Sequence, residues 1–273
     1  MEGILRNPLS LFDAGGKVTV ITGASGALGR AAAIALGALG GRMLLASGSA
    51  DGLAEVAAEV REAGGEASTL TCRPDTQADA DAILAAAVKA YGQVDSVLVA
   101  SGYNKPAPIE DMPYEDWQAI MDANVRGPWL IAKAFGQLLA RDERRGKLLL
   151  VSSVRGRQGS PAGYSAYCTS KGAVRLMSKA LAVELGKLQI RVNSVHPGLV
   201  ETPLGIGSMQ DMISHGVPLP SIDAALSMVE QRTPLGRMAQ PQDVANVIAF
   251  LCADESRYVT GTELTVDGGY SIN

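Results

Sequence analysis

"TGASGALGR", Thr22 to Arg30, follows the apolar run "VTVI" and leads straight into "AAAIALGALG". A strand that feeds a glycine-rich turn and then an alanine-rich helix brings backbone N–H groups to a helix start, where they face an anion. In that reading Gly23 permits the tight turn, Gly26 lets the backbone approach a phosphate, and Gly29 lets the helix pack closely. The glycine spacing alone is a weak signal; the strand before it and the helix after it raise it to a dinucleotide-binding turn. The alternative is a plain strand–helix connection.

Outward from this turn the pattern repeats. The apolar runs "KVTVIT", "RMLLAS", "ASTLTC", "SVLVAS", "KLLLVS", "IRVNSVH" and "ELTVD" alternate with helical stretches beginning near Arg30, Ala50, Thr76, Glu115, Tyr164 and Asp243. Continuous apolar runs are what strands buried on both faces look like. Their alternation with helices predicts an α/β fold, a parallel sheet of about seven strands with helices on both faces. No tandem repeat or linker divides the chain, so residues 1–273 read as one domain. The stretch from Pro203 to Arg232 is an exception, with several glycines and prolines in weak helical pattern. It reads as a lid or substrate-binding insertion, or as an ordinary surface helix pair.

The chain has 273 residues and a formal net charge of −4. That acidic balance, with its basic run "RDERRGK" broken by acids, argues against a nucleic-acid surface. The beginning "MEGILRNPLSLFDAGGK" does not have the pattern of a signal peptide. No stretch approaches the ~20 apolar residues of a membrane span. Cys72, Cys168 and Cys252 have no metal-ligand spacing and fit small packed side chains in a reducing cytoplasm, so no metal site is expected.

"YSAYCTSK", Tyr164 to Lys171, carries the chemistry. Tyr167 and Lys171 are four apart and share one face of a helix. A free phenol titrates near pH ~10 and exchanges protons poorly near neutrality. An adjacent ammonium favours the phenolate. Tyr164 is a poorer candidate, because its fourth successor is Cys168.

"TGASGALG", "NVRG" at Asn124, "SS" at Ser152–Ser153, "YCTSK" and "HPGLVET" stand in the order found in the short-chain dehydrogenase/reductase family, which the chain resembles over nearly its whole length. The C-terminal "PLGRMAQPQDVANVIAFLCADESRYVTGTELTVDGGY" is similar to that family too. The resemblance implies a Rossmann-type doubly wound sheet, order 3-2-1-4-5-6-7, and a nicotinamide cofactor, NAD or NADP. It implies a catalytic set of Asn124, Ser153, Tyr167 and Lys171. Tyr167 exchanges the proton, Lys171 lowers its pKa and holds a ribose, Ser153 binds the reacting oxygen, and Asn124 holds a water. Plainer roles remain open: Ser153 as a cap and Asn124 as a helix residue pairing with backbone. For the cofactor the resemblance implies Gly23, Ser25, Gly26, Leu28 and Gly29 at the turn, and Ser47, Arg73 and Pro74 at the adenosine. It adds Ala100 and Gly102 beside the ring system, Tyr167 and Lys171 again, and Pro197, Gly198, Val200 and Thr202 at the carboxamide. A homotetramer and a small carbonyl or alcohol substrate belong to the same expectation, with no nucleic-acid or membrane partner.

The chain departs from the family in several places. Ala27 takes the place of the middle glycine, although length and "VDGG" fit the single-domain branch. Ser47 replaces the acid that binds the ribose of NAD, and Gly48 stands where NADP-dependent members often carry arginine. Arg73 stands where an aspartate is common; at the end of the neighbouring strand it reaches toward a 2′-phosphate or stacks on adenine, or is simply solvated. This favours NADP over NAD. "VASG" replaces NNAG, and Ser153 lies one residue farther than usual from Tyr167, a difference the loop Gly156–Gly163 absorbs.

The leading function is interconversion of a secondary alcohol and a ketone. Lys105, Arg155, Arg157 and His215 fall in loops on the catalytic edge and suit an anionic substrate such as a sugar acid, or merely solvate the rim. The start of the chain also resembles gluconate 5-dehydrogenase-like members, and a polyol is a related substrate. A 3-oxoacyl-[acyl-carrier-protein] reductase is the nearest alternative. A non-catalytic dinucleotide-binding protein is the alternative of another class. His196 is expected to pack rather than react.

Overall fold

A computed structural model describes residues 12–160, 163–214 and 221–273. Seven strands form one parallel sheet in the order β3-β2-β1-β4-β5-β6-β7. They are β1 (Val18–Thr22), β2 (Arg42–Ser47), β3 (Glu66–Thr71), β4 (Ser96–Val99), β5 (Gly146–Val151), β6 (Ile190–Pro197) and β7 (Glu263–Val266). Each lies within a residue or two of the apolar run that predicts it. The inner strands are buried on both faces, whereas β3 alternates between exposed and covered residues because it lies at an edge.

Alternation along the strands divides the core in two. Val20, Val97, Leu148 and Val192 face helices α3 (Gln77–Tyr91), α5 (Gly127–Arg141) and α6 (Ser165–Gly186). Ile21, Leu45, Leu98 and Leu149 face α1 (Ala27–Ala38), α2 (Ala50–Glu62) and α9 (Pro241–Cys252). Phe135 of α5 is fully enclosed, a burial that contributes about 2–3 kcal/mol. Local chemistry sets the helix ends. Thr76 and Asp79 form a reciprocal capping box at the start of α3, and Gly92, at φ 80°, ends it in the left-handed region.

Two features position the crevice. The sheet order reverses at β1 and β4, which pair in the register Ile21↔Leu98, so the connections after these strands diverge at their C-terminal ends. The helical stretch after Pro113 is broken: α4 (Tyr114–Met121) passes through a π turn, Asp122–Arg126, before α5 begins at Gly127 with Pro128 in its first turn. Such turns re-aim side chains and are frequent at functional sites. The expected insertion is a helix pair, α7 (Pro203–Ser214) and α8 (Ile222–Arg232), and both helices line the crevice. His215 lies outside the described residues. Among the described residues no helix is long and apolar enough to cross a membrane.

Candidate active site

α6 carries Tyr167 and Lys171 on one face, as their spacing predicts, with the Lys171 Nζ 5.7 Å from the Tyr167 ring centroid. The helix is tied to the end of β5 by two bonds: Ser152 Oγ donates to the Lys171 carbonyl at 2.9 Å, and Lys171 Nζ donates to the Val151 carbonyl at 2.9 Å. Lys171 is only 3% exposed, and burial brings its amine down to about 8.

The phenol differs from the expectation. Burial pushes Tyr167 up to about 12, against lowering influences from a hydrogen bond with Ser153 and the charge of Arg155. Lys171 is not among the causes: its Nζ is engaged with the Val151 carbonyl and is itself desolvated. The ring still keeps a partly exposed edge on the crevice. Ser153 takes the plainer of the two roles weighed for it, the cap, and stands beside the phenol. Its hydroxyl accepts the Arg155 N–H at 3.1 Å, capping the short turn Val154–Gly156, and its nearness lowers the Tyr167 phenol against the effect of burial. Beneath it His196 is fully buried, with Nδ1 3.1 Å from the Ser153 carbonyl and Nε2 2.9 Å from the Ser194 hydroxyl.

Asn124 sits in the π turn behind the crevice wall rather than on its surface. Its Oδ1 accepts the Tyr103 N–H at 2.8 Å, and its Nδ2 donates to the Tyr103 carbonyl at 2.8 Å and to Ser170 Oγ at 2.9 Å. Both amide donors are thus engaged, leaving one lone pair of Oδ1. A β-carbon on Gly102 would stand 3.5 Å from Lys171 Nζ and 3.7 Å from Asn124 Oδ1, so that glycine keeps the approach to both open.

A crevice of about 1680 Å³ runs along the C-terminal sheet edge from the glycine turn to α8. Gly23, Ser25, Gly26 and Leu28 line its first part. Gly23 has φ 70°, and a β-carbon there would stand 2.5 Å from the backbone of Ser101. Gly29 does not reach the crevice. It is buried against the turn, where a β-carbon would run into the Gly23 carbonyl, so it serves helix packing rather than direct contact. Ala27 opens α1, and its methyl lies on the crevice.

At the end of β2 Ser47 is buried, and Ser25 Oγ donates to its hydroxyl at 2.9 Å. The exposed Arg73 guanidinium lies against Gly48 and has no hydrogen bond or ion pair among the described residues. Pro74 lies beside it, and Ala100 and Gly102 continue the wall. Pro197, the last residue of β6, and Gly198, Val200 and Thr202 after it also line the crevice. Open glycine backbone at a helix start and an unpaired cation just after β3 fit a phosphate-bearing dinucleotide.

Of the rim cations proposed for an anionic substrate, Lys105 pairs with Asp116 at 2.7 Å, and Arg157 bonds Thr265 at 2.6 Å with Glu263 3.9 Å away. Arg155 alone of the described ones lines the crevice. Sequence reasoning missed Arg232 and Tyr270, which also line it. Tyr270 is brought there by the "VDGG" turn: Gly268 and Gly269 have φ 61° and 89°, and the Asp267 carboxylate accepts the N–H groups of Gly269 and Ser271 at 3.0 and 2.8 Å. Two glycines followed by an aromatic residue were the available signal.

A doubly wound sheet with a long crevice at its C-terminal edge, walled in part by Ser153, Tyr167 and Lys171, defines a Rossmann-type α/β protein. A family model described as "Enoyl-(Acyl carrier protein) reductase" matches residues 23–271. An uncharacterized oxidoreductase of Mycobacterium tuberculosis is 44% identical, covering 96% of this chain and 94% of that one. The 3-oxoacyl-[acyl-carrier-protein] reductase FabG of Thermotoga maritima is 32% identical, covering 94% and 98%. A solved short-chain type dehydrogenase/reductase from Mycobacterium marinum superimposes with a TM-score of 0.86 at 32% identity, covering 97% and 99%. The chain belongs to the short-chain dehydrogenase/reductase family of oxidoreductases.

Proposed function

We propose that this protein interconverts a secondary alcohol and a ketone with a nicotinamide dinucleotide, NADP in preference to NAD, and that Tyr167 handles the proton. The carrying observation is that Ser153, Tyr167 and Lys171 stand together on the wall of one crevice, with Ser153 close enough to the phenol to lower its pKa. A bound nicotinamide supplies or accepts the hydride at the carbonyl carbon. The substrate oxygen lies between the Ser153 and Tyr167 hydroxyls, where both donate to it as negative charge develops. With its pKa near 12 the phenol keeps its proton at neutral pH, and an alkoxide, being a stronger base than phenolate, takes it. Lys171, brought down to about 8 and 5.7 Å from the ring centroid, restores that proton once its Nζ turns from the Val151 carbonyl toward the phenolate. Asn124 fixes the 102–103 loop against α6.

The NADP preference rests on Arg73, a cation without a carboxylate partner at the adenosine end, and on the neutral Ser47. The same proposal takes residues 1–273 as one functional unit, with α7 and α8 covering the substrate. Exposed Trp129, Leu176 and Val183 on α5 and α6 support packing of these faces in a homotetramer. A 3-oxoacyl-carrier reductase is the second reading, favoured by the Thermotoga relative. Titration with NADPH and NADH, followed by turnover on a panel of neutral and acidic ketones, tests the function. Nucleotide binding without any turnover sinks it.

A further inference from the structure

The acids lining the crevice among the described residues are Asp75 and Asp122, and Asp122 is taken by Arg126 at 2.8 Å. Arg30, also on the wall, is held by Glu59. Arg155 and Arg232 have no carboxylate partner among the described residues, and both converge on one ring. Their guanidinium carbons lie 5.7 and 5.2 Å from the centroid of Tyr270, which is 6% exposed. Arg155 is held in place: its Nη2 donates to the Tyr270 hydroxyl at 3.3 Å, its Nη1 reaches the Gly159 carbonyl at 3.5 Å, and its N–H bonds Ser153. Two like charges drawn to one ring repel each other, and an anion within reach of both offsets that repulsion. Each guanidinium presents the fork geometry that suits a carboxylate. The wall beside them, Leu204, Met209, Met228 and Val229 of α7 and α8, is apolar.

We propose that Arg155 and Arg232, flanking Tyr270, form a carboxylate subsite, and that the substrate is an oxo or hydroxy acid with an apolar body. This rests on the ketone–alcohol reading above. Arg155 follows Ser153 by two residues, so the carboxylate binds within a few carbons of the reacting oxygen. The hydrocarbon portion lies along α7 and α8.

The test offers NADPH-loaded protein acetoacetate, levulinate and longer straight-chain oxo acids beside their methyl esters. Turnover is read by nucleotide absorbance and binding by calorimetry. The expected result is at least one acid preferred over its ester by about tenfold or more in kcat/KM, with the difference in KM. Arg232→Gln and Arg155→Gln then lose much more with the acid than with the ester. If Arg155→Gln fails to fold, Arg232→Gln decides. Equal use of acid and ester throughout, or a preference that survives both substitutions, overturns the subsite and leaves the oxidoreductase reading standing. Acetoacetyl-coenzyme A far outcompeting acetoacetate and its ester assigns the arginines to a phosphate and overturns the carboxylate form. A protein that reduces none of these compounds, nor cyclohexanone, fails the functional reading instead. In that case the calorimetric difference between acid and ester decides on the subsite alone.

Discussion

The Arg73 guanidinium lies across Gly48 so closely that a β-carbon on that glycine would stand 2.5 Å from the arginine Nε. Residue 48 follows β2, where the adenosine of a dinucleotide ends in such folds. A cation reaching in from the end of β3 thus fills the space left by the missing side chain. Charge-assisted hydrogen bonds to a phosphate contribute about 1.5–3 kcal/mol, or about 10- to 100-fold in affinity. Arg73→Ala is expected to weaken NADPH by about that factor while NADH binding changes by less than about twofold. Gly48→Ala, by displacing the guanidinium, moves NADPH in the same direction. Fluorescence titration decides, and equal losses for both nucleotides refute the assignment.

Tyr167→Phe removes the hydroxyl beside Ser153 and leaves the ring in place. The rate should fall by at least about 100-fold, the usual scale of a general acid–base contribution. NADPH affinity, set elsewhere in the crevice, should hold. Steady-state kinetics with a nucleotide titration separates the two quantities. A variant with near-normal turnover removes Tyr167 as the proton carrier.

The seven strands were readable because buried parallel strands are unbroken apolar runs. Their spatial order came from the family resemblance, since no local pattern encodes it. The Tyr167–Lys171 pair was readable because a helix places residues four apart on one face. What failed to show depends on contacts distant in sequence. Asp116 neutralises Lys105, and Thr265 and Glu263 hold Arg157, so neither rim cation joins the crevice. Arg232 and Tyr270 come together from α8 and the C-terminal turn. The direction of the Tyr167 shift was missed because spacing reports a neighbouring charge but not desolvation.

Gly26 and Gly29 should separate on substitution. A β-carbon on Gly29 runs into the Gly23 carbonyl and the Ala24 backbone, neither of which has room to yield. Gly29→Ala should therefore cost about 1–3 kcal/mol, lowering Tm by roughly 2–12 °C for a chain of this size. At Gly26 the nearest atom to such a carbon is the Gly23 carbonyl oxygen at 3.3 Å, and the position is exposed on the crevice wall. Gly26→Ala should change Tm little and weaken dinucleotide binding. Differential scanning calorimetry with a nucleotide titration checks both. A large Tm loss from Gly26→Ala, or none from Gly29→Ala, contradicts the division.

Glu263, on the edge strand β7, joins that strand to α6 through Arg175 at 2.8 Å and Lys179 at 2.5 Å. Burial alone would push its carboxyl up, but the ion pair with Lys179, the hydrogen bond from Arg175 and their charges outweigh it and hold the group at about 2. A carboxylate whose folded pKa is depressed stabilises the fold above its unfolded value, and that contribution is lost as pH falls toward the folded one. The window here runs from about 4.5 down to about 2. Its cationic partners are 36% and 46% exposed, and solvent screening reduces the contribution to about 2 kcal/mol. Glu263→Gln should be less stable by about that amount at pH 7. The gap should close on acidification through the window, because the wild-type carboxyl then becomes neutral like the amide. Urea unfolding of both proteins across this range measures the gap, and a difference independent of pH assigns the loss to packing instead of charge.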